Sequence, residues 1–190
     1  MSIVLDPREG SRFMFWCDYA YHPSIKRAGM DGTNITVIVS EKIKFITSLT
    51  IDYPNQYLYF VDKDLDFIDF CDYNGKHRQR VLSSYSLLQN PRGLTVLEDR
   101  VYWIDRGTNV IYHCNKFRCD RKKIISSHFR TLQDIVSYSK VRQPSSSNPC
   151  FQSSCSHLCL LSPLNPGYKC ACPITMQLDN DGRKCVTCKY

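Results

Sequence analysis

The chain has 190 residues, enough for one medium domain and one small one. Its 25 Lys and Arg outweigh 18 Asp and Glu for a formal charge of +7, gathered in short clusters at 76–80, 118–123 and 183–189 with no nucleic-acid-binding motif beside them. No run reaches the roughly 18 apolar residues of a membrane-spanning helix, and Met1–Pro7 has neither the basic nor the apolar stretch of a secretion signal. The charge reads first as a solvated basic surface, and second as a seat for an anionic partner such as a sulfated glycan or an acidic protein.

The chain opens on a short apolar run, Ile3-Val4-Leu5-Asp6, followed by Phe15-Trp16-Cys17-Asp18, then Ile25, an Asp31-Gly32 turn and the segment Thr33–Val39. The same series returns as Leu49-Thr50-Ile51-Asp52, Tyr59-Phe60-Val61-Asp62, Ile68, Asn74-Gly75 and Arg78–Leu82. A third copy runs through Leu94-Thr95-Val96, Tyr102-Trp103-Ile104-Asp105 and Ile111. From Asp18 to Asp62 is 44 residues, and from Asp62 to Asp105 is 43. β-branched and aromatic runs bounded by turn residues predict strands, and Asp-Gly and Asn-Gly predict tight hairpins. Four short strands in each period of roughly 40–45 residues predict an all-β propeller, with each copy one blade. The segment Gln133–Ser139 reads as one further strand.

In this frame the recurring Asp18, Asp62 and Asp105 are structural. A carboxylate at a strand end accepts backbone N–H groups that would be costly to bury unpaired. The aromatic residues ahead of them, including Trp16, Phe60 and Trp103, are core packing.

Eleven cysteines are distributed unevenly. Cys114 and Cys119 flank the position of a third hairpin turn and are placed to staple it. Cys17 and Cys71 fall on interior-looking strand positions, either as buried thiols or bonded to each other. The remaining forty residues contain Cys150-x4-Cys155-x3-Cys159-x10-Cys170-x-Cys172-x12-Cys185, with Cys188 three positions later and set to pair with something past Tyr190. So short a segment needs covalent staples, which persist in oxidising compartments. Spacing alone does not choose among fifteen pairings of six cysteines. His157-x-Cys159 and Cys185-x2-Cys188 have zinc-ligand types, but the six-cysteine spacing fits them less well to zinc than to disulfides. Residues 143–149 offer no carboxylate for calcium, so no metal and no cofactor is expected. Asn34-Ile35-Thr36 is a glycosylation sequon. No phosphate loop, nucleophile elbow or metal helix occurs, so there are no catalytic candidates and an enzyme is not expected.

The aromatic-aromatic-x-Asp repeats resemble the YWTD repeats of the low-density lipoprotein receptor-related family. Arg27-Ala28-Gly29-Met30-Asp31-Gly32, Pro91-Arg92-Gly93-Leu94-Thr95-Val96, Asn115-Lys116-Phe117 and Arg142-Gln143-Pro144 carry the same resemblance. The cysteine array, with Gly167-Tyr168 before Cys170, resembles an epidermal growth factor (EGF)-like module. This chain departs in having Cys17, Val61 and Ile104 for the motif Thr, Phe45-Ile46-Thr47-Ser48 for Trp-Pro-Asn-Gly, and Gln152-Ser153-Ser154 for Asn-Gly-Gly.

The resemblance implies the C-terminal half of a six-bladed ring over 1–140, with blades near 1–47, 48–92 and 93–140. A linker at 141–149, the module at 150–185 and a tail at 186–190 complete the division. It implies the pairs Cys150–Cys159, Cys155–Cys170 and Cys172–Cys185. It also implies a scaffold and ligand-binding segment of an endocytic receptor or co-receptor, on the extracellular side of the plasma membrane or in the endosome. Its partners would be extracellular proteins of lipoprotein or Wnt type and the missing blades of the parent chain, with no nucleic acid and no membrane contact except through a parent-chain span. Ligand release at endosomal pH would draw on His22, His77, His113 or His128. A secreted matrix protein of nidogen type is the alternative.

Overall fold

The computed structural model describes residues 2–19, 21–143 and 145–188. Pro144 of the expected linker, and Lys189 and Tyr190 of the expected tail, lie outside the described residues. One compact unit gathers Phe15–Arg27 and Thr36–Pro144 with the start of the chain; the other gathers Leu5–Met14 and Ala28–Ile35 with the chain from Ser145 onward.

Twelve strands form three four-stranded antiparallel sheets in sequence order. The first contains β1 (Ile3–Asp6), β2 (Phe13–Asp18), β3 (Ser24–Gly29) and β4 (Thr36–Val39). The second contains β5 (Ile46–Asp52), β6 (Tyr57–Asp62), β7 (Phe67–Asp72) and β8 (Gln79–Ser83). The third contains β9 (Pro91–Leu97), β10 (Arg100–Asp105), β11 (Val110–Asn115) and β12 (Lys123–Ser126). Leu49 faces Phe60, which faces Asp69, and Leu94 faces Trp103, which faces Tyr112.

The sheets repeat in their irregularities as well as in their ladders. The ladder between third and fourth strands slips just after the recurring isoleucine, between Ile25 and Lys26, Ile68 and Asp69, and Ile111 and Tyr112. Such a bulge adds local twist to the outer strand. Left-handed residues recur in the first hairpins at Arg12, Gln56 and Glu98, with φ of 52°, 53° and 54°. They recur again in the second hairpins at Asp66 and Asn109, and in the third at Asn34 and His77.

Between the second and third sheets, Tyr59, Val61, Ile68 and Phe70 pack with Leu94, Val96, Val101 and Trp103 in one apolar cluster. Trp103 and Tyr59 are the largest fully buried side chains. Burial of this kind contributes about 1.5–3 kcal/mol for each large side chain.

The expected strand at Gln133–Ser139 is absent: the segment has no ladder. It meets the open edge of β9 through hydroxyls instead. Thr95 Oγ1 accepts from Ser137 N at 3.2 Å, and Ser137 Oγ donates to Val96 O at 3.3 Å. Gly93 is required here, since a Cβ at that position would lie 2.4 Å from Asp134 Oδ1.

The cysteine-rich region contains two small hairpins, β13 (Leu158–Leu161) with β14 (Tyr168–Ala171) and β15 (Met176–Leu178) with β16 (Cys185–Thr187). Short 3-10 turns at Lys140–Arg142 and Pro149–Gln152 precede them. In the same compact unit, Arg12 reaches Ser162 O with Nη1 at 3.4 Å. Gly167, at φ 96°, leaves the space that this guanidinium fills; a Cβ would stand 2.2 Å from Arg12 Nη1.

Candidate functional site

The recurring carboxylates sit where strands end and linkers begin. Asp62, fully buried, accepts from Lys44 N at 2.6 Å and Phe45 N at 3.0 Å through Oδ2. Its Oδ1 accepts from Asp64 N at 2.9 Å and Leu65 N at 3.0 Å. Asp105, also fully buried, accepts from the backbone N–H groups of Gln89, Asn90, Gly107 and Thr108. Each therefore ties the linker entering its sheet to the hairpin leaving its own strand. Phe45 occupies this node through its backbone N–H, a bond that does not depend on its side chain. Asp18 is 28% exposed, with Lys26 Nζ at 2.5 Å.

Phe60 and Trp103 are fully buried, whereas Trp16 is half-buried. The first sheet thus holds its motif tryptophan less deeply than the third.

A buried ion pair joins adjacent sheets: Lys116 Nζ lies 2.7 Å from Asp52 Oδ2, the side chains being 7% and 3% exposed. Asn55 Nδ2 also donates to Asp52 at 2.8 Å. Arg142 donates to Ile51 O, to Val96 O at 3.2 Å and to Thr50 Oγ1 at 3.1 Å, clamping β5 to β9. A lone lysine and a lone arginine carry no local pattern that names a partner 64 or 91 residues away.

Four disulfides are formed: Cys114–Cys119, Cys150–Cys159, Cys155–Cys170 and Cys172–Cys185. Cys17 and Cys71 are free, buried thiols, and Cys188 is free and half-buried. Burial pushes the Cys17 and Cys71 thiols up to about 12, so neither supplies a reactive thiolate near neutrality. Asn34 and Thr36 of the sequon are exposed.

His22, His77, His128 and His157 are exposed. His113 is half-buried, with Nδ1 2.9 Å from Arg100 Nη1; burial and that guanidinium push its pKa down. Among the described residues no three metal-ligating side chains converge. Among the described residues no helix is long and apolar enough to cross a membrane. The repeated residues thus form nodes within a scaffold, each serving its own sheet.

Residues 12–53 match the family described as low-density lipoprotein receptor repeat class B. The vitellogenin receptor of Solenopsis invicta is 36% identical over 188 residues, 98% of this chain and 10% of that protein. Vitellogenin receptor Yl of Drosophila melanogaster is 36% identical over 186 residues, 97% of this chain and 9% of that one. The chain therefore spans about a tenth of the length of these curated relatives. Among solved structures, a nidogen/laminin complex matches with a TM-score of 0.58 and 22% identity, over 66% of this chain and 47% of that one. A luciferin-regenerating enzyme matches with a TM-score of 0.52 and 12% identity, over 65% of this chain and 45% of that one. At these identities the two structures speak for the propeller architecture alone, while the relatives matched along nearly the whole chain are receptors. The chain belongs to the low-density lipoprotein receptor-related family, as about three blades of a YWTD β-propeller followed by a disulfide-rich EGF-like module.

Proposed function

We propose that this chain is a scaffold and ligand-recognition segment from the extracellular part of an endocytic receptor for a vitellogenin-like lipoprotein. The observation that carries this reading is the match to two vitellogenin receptors over 97–98% of the chain, through blades, connecting segment and module alike. The buried carboxylate nodes and disulfides support a scaffolding part, since their polar atoms are spent on the fold. In this proposal the blades lie near 1–47, 48–92 and 93–140, with the module at 150–185 and further blades from the parent chain closing the ring. Asn34 carries a glycan.

The test uses an antibody raised against the 190-residue chain on living, unpermeabilised cells that express the parent protein. Surface staining at 4 °C that moves into acidified vesicles on warming, together with labelled yolk lipoprotein, is the expected result. Staining confined to the pericellular matrix, with no uptake, would sink the receptor reading.

A further inference from the structure

The second blade has two arginines around one buried carboxylate. Asp69, in the middle of β7 and 2% exposed, receives Arg78 Nε at 2.8 Å on Oδ2. Arg78 then spends its remaining nitrogens as a strut. Its Nη1 donates to Glu41 O at 2.6 Å, and its Nη2 donates to Lys42 O at 3.0 Å. This holds the loop between β4 and β5 against β8.

Arg80 also bonds Asp69, through Nε at 2.5 Å and Nη2 at 3.2 Å. Its guanidinium lies 4.2 Å from the Phe67 ring centroid. Carboxylate below and ring beside it fix the plane of the group, yet the side chain is 44% exposed. Among the described residues, no bond from its Nη1 is recorded, so that edge is presented to solvent in a set orientation. It borders a surface cavity of about 370 Å³ lined by Lys42, Asp69, Arg78, Gln79, Arg80 and Ser83. Three cations against one carboxylate leave the cavity positive.

We propose that this cavity binds the sulfate groups of an extracellular sulfated glycan. A planar guanidinium with a free edge matches a tetrahedral oxyanion in two-point contact, and one already immobilised loses little side-chain entropy on binding. Lys42 supplies a second, exposed point charge on the rim. Gln79 and Ser83 add uncharged donors and acceptors suited to sugar hydroxyls, which favours a glycan over a phosphorylated peptide. The volume falls within the roughly 300–1,000 Å³ of ordinary ligand cavities. The disulfides place the chain in the compartment where sulfated glycans occur. This inference is independent of which lipoprotein the receptor carries.

Calorimetry on the full 190-residue chain, with its disulfides formed, provides the test. The probe is a heparin-derived hexasaccharide, with its desulfated form and a phosphoserine peptide as comparisons. Arg80→Gln with Lys42→Gln is expected to weaken hexasaccharide binding by about tenfold or more, the worth of one lost charge-assisted hydrogen bond. Arg118→Gln with Arg121→Gln removes the same charge from exposed positions elsewhere and is expected to change it less than about twofold. Lys42→Gln alone touches no packed group and is expected to weaken binding measurably, which keeps the proposal testable should the Arg80 variant misfold. Equal losses in both double variants, binding that ignores sulfation, no effect of Lys42→Gln, or tighter binding of the phosphopeptide at Arg80 would each overturn the proposal.

Discussion

The second and third blades bury Trp103, Tyr59, Phe60, Ile68 and Ile104 completely, whereas the module from Cys150 to Cys185 buries only Ser162, Gly167 and Cys170 and is closed by three disulfides. In the blades, order follows from apolar area removed from water, with carboxylates satisfying the backbone at each linker. In the module, 36 residues cannot bury enough, and covalent loops restrict the unfolded chain instead. One chain therefore contains two kinds of stability with different solvents, reagents and failure points.

Reduction is the sharpest way to separate them. With a thiol reductant under native conditions, each module disulfide removes about 2–5 kcal/mol, and the module is expected to unfold. Both tryptophans, Trp16 and Trp103, lie in the blades, so their fluorescence should change little while limited proteolysis opens 150–185. Simultaneous loss of both signals would erase the distinction.

Asp105→Ala strikes the blades instead, leaving the N–H groups of Gln89, Asn90, Gly107 and Thr108 without their acceptor. A loss of about 3–5 kcal/mol is expected in urea unfolding followed by tryptophan fluorescence, with the module's disulfides intact. Asp52→Ala orphans the buried charge of Lys116 and is expected to cost about 3 kcal/mol. Asp52→Leu combined with Lys116→Met should recover most of that, because a buried pair replaced by apolar groups is close to neutral. Failure of the double variant to recover would mean that the pair contributes net stability of its own.

The smallest effect concerns pH. Burial holds the Cys17 and Cys71 thiols at about 12 against an ordinary value of 9.0. Their contribution to stability is therefore complete below pH 9 and is lost as pH climbs from 9 through 12, where the unfolded chain releases protons that the folded chain retains. Iodoacetamide at pH 8 is expected to label Cys188 and spare Cys17 and Cys71, read by mass spectrometry. Labelling of all three at equal rates would show that the blade interior opens readily.

Local features announced themselves in the residues, and long-range ones did not. Asp18, Asp62 and Asp105 made the period visible, and in the second and third sheets the carboxylate solves the same bonding problem. The left-handed positions Arg12, Gln56 and Glu98 are equally periodic in backbone but share no side-chain type, so nothing in their identities marks them. Gln133–Ser139 contains strand-forming residues such as Ile135, Val136 and Tyr138, yet Ser137 and Thr95 replace ladder bonds with hydroxyl bonds that residue type does not foretell. The cluster at Lys76–Arg80 was visible as charge, while its anchoring on Asp69 depended on register across β7 and β8.

The carboxylate nodes also bear on how such a chain can grow or shrink over evolutionary time. Everything that Asp62 bonds lies between Lys44 and Leu65, so the node travels with its own period. Duplication or loss of one whole period leaves every remaining node complete, whereas a break inside a period strands a carboxylate from its N–H groups. The Asp52–Lys116 pair bridges neighbours and must be re-formed at each new junction. Unequal recombination is thus tolerated in steps of one blade, with the bridging pair deciding which newly adjacent blades fit.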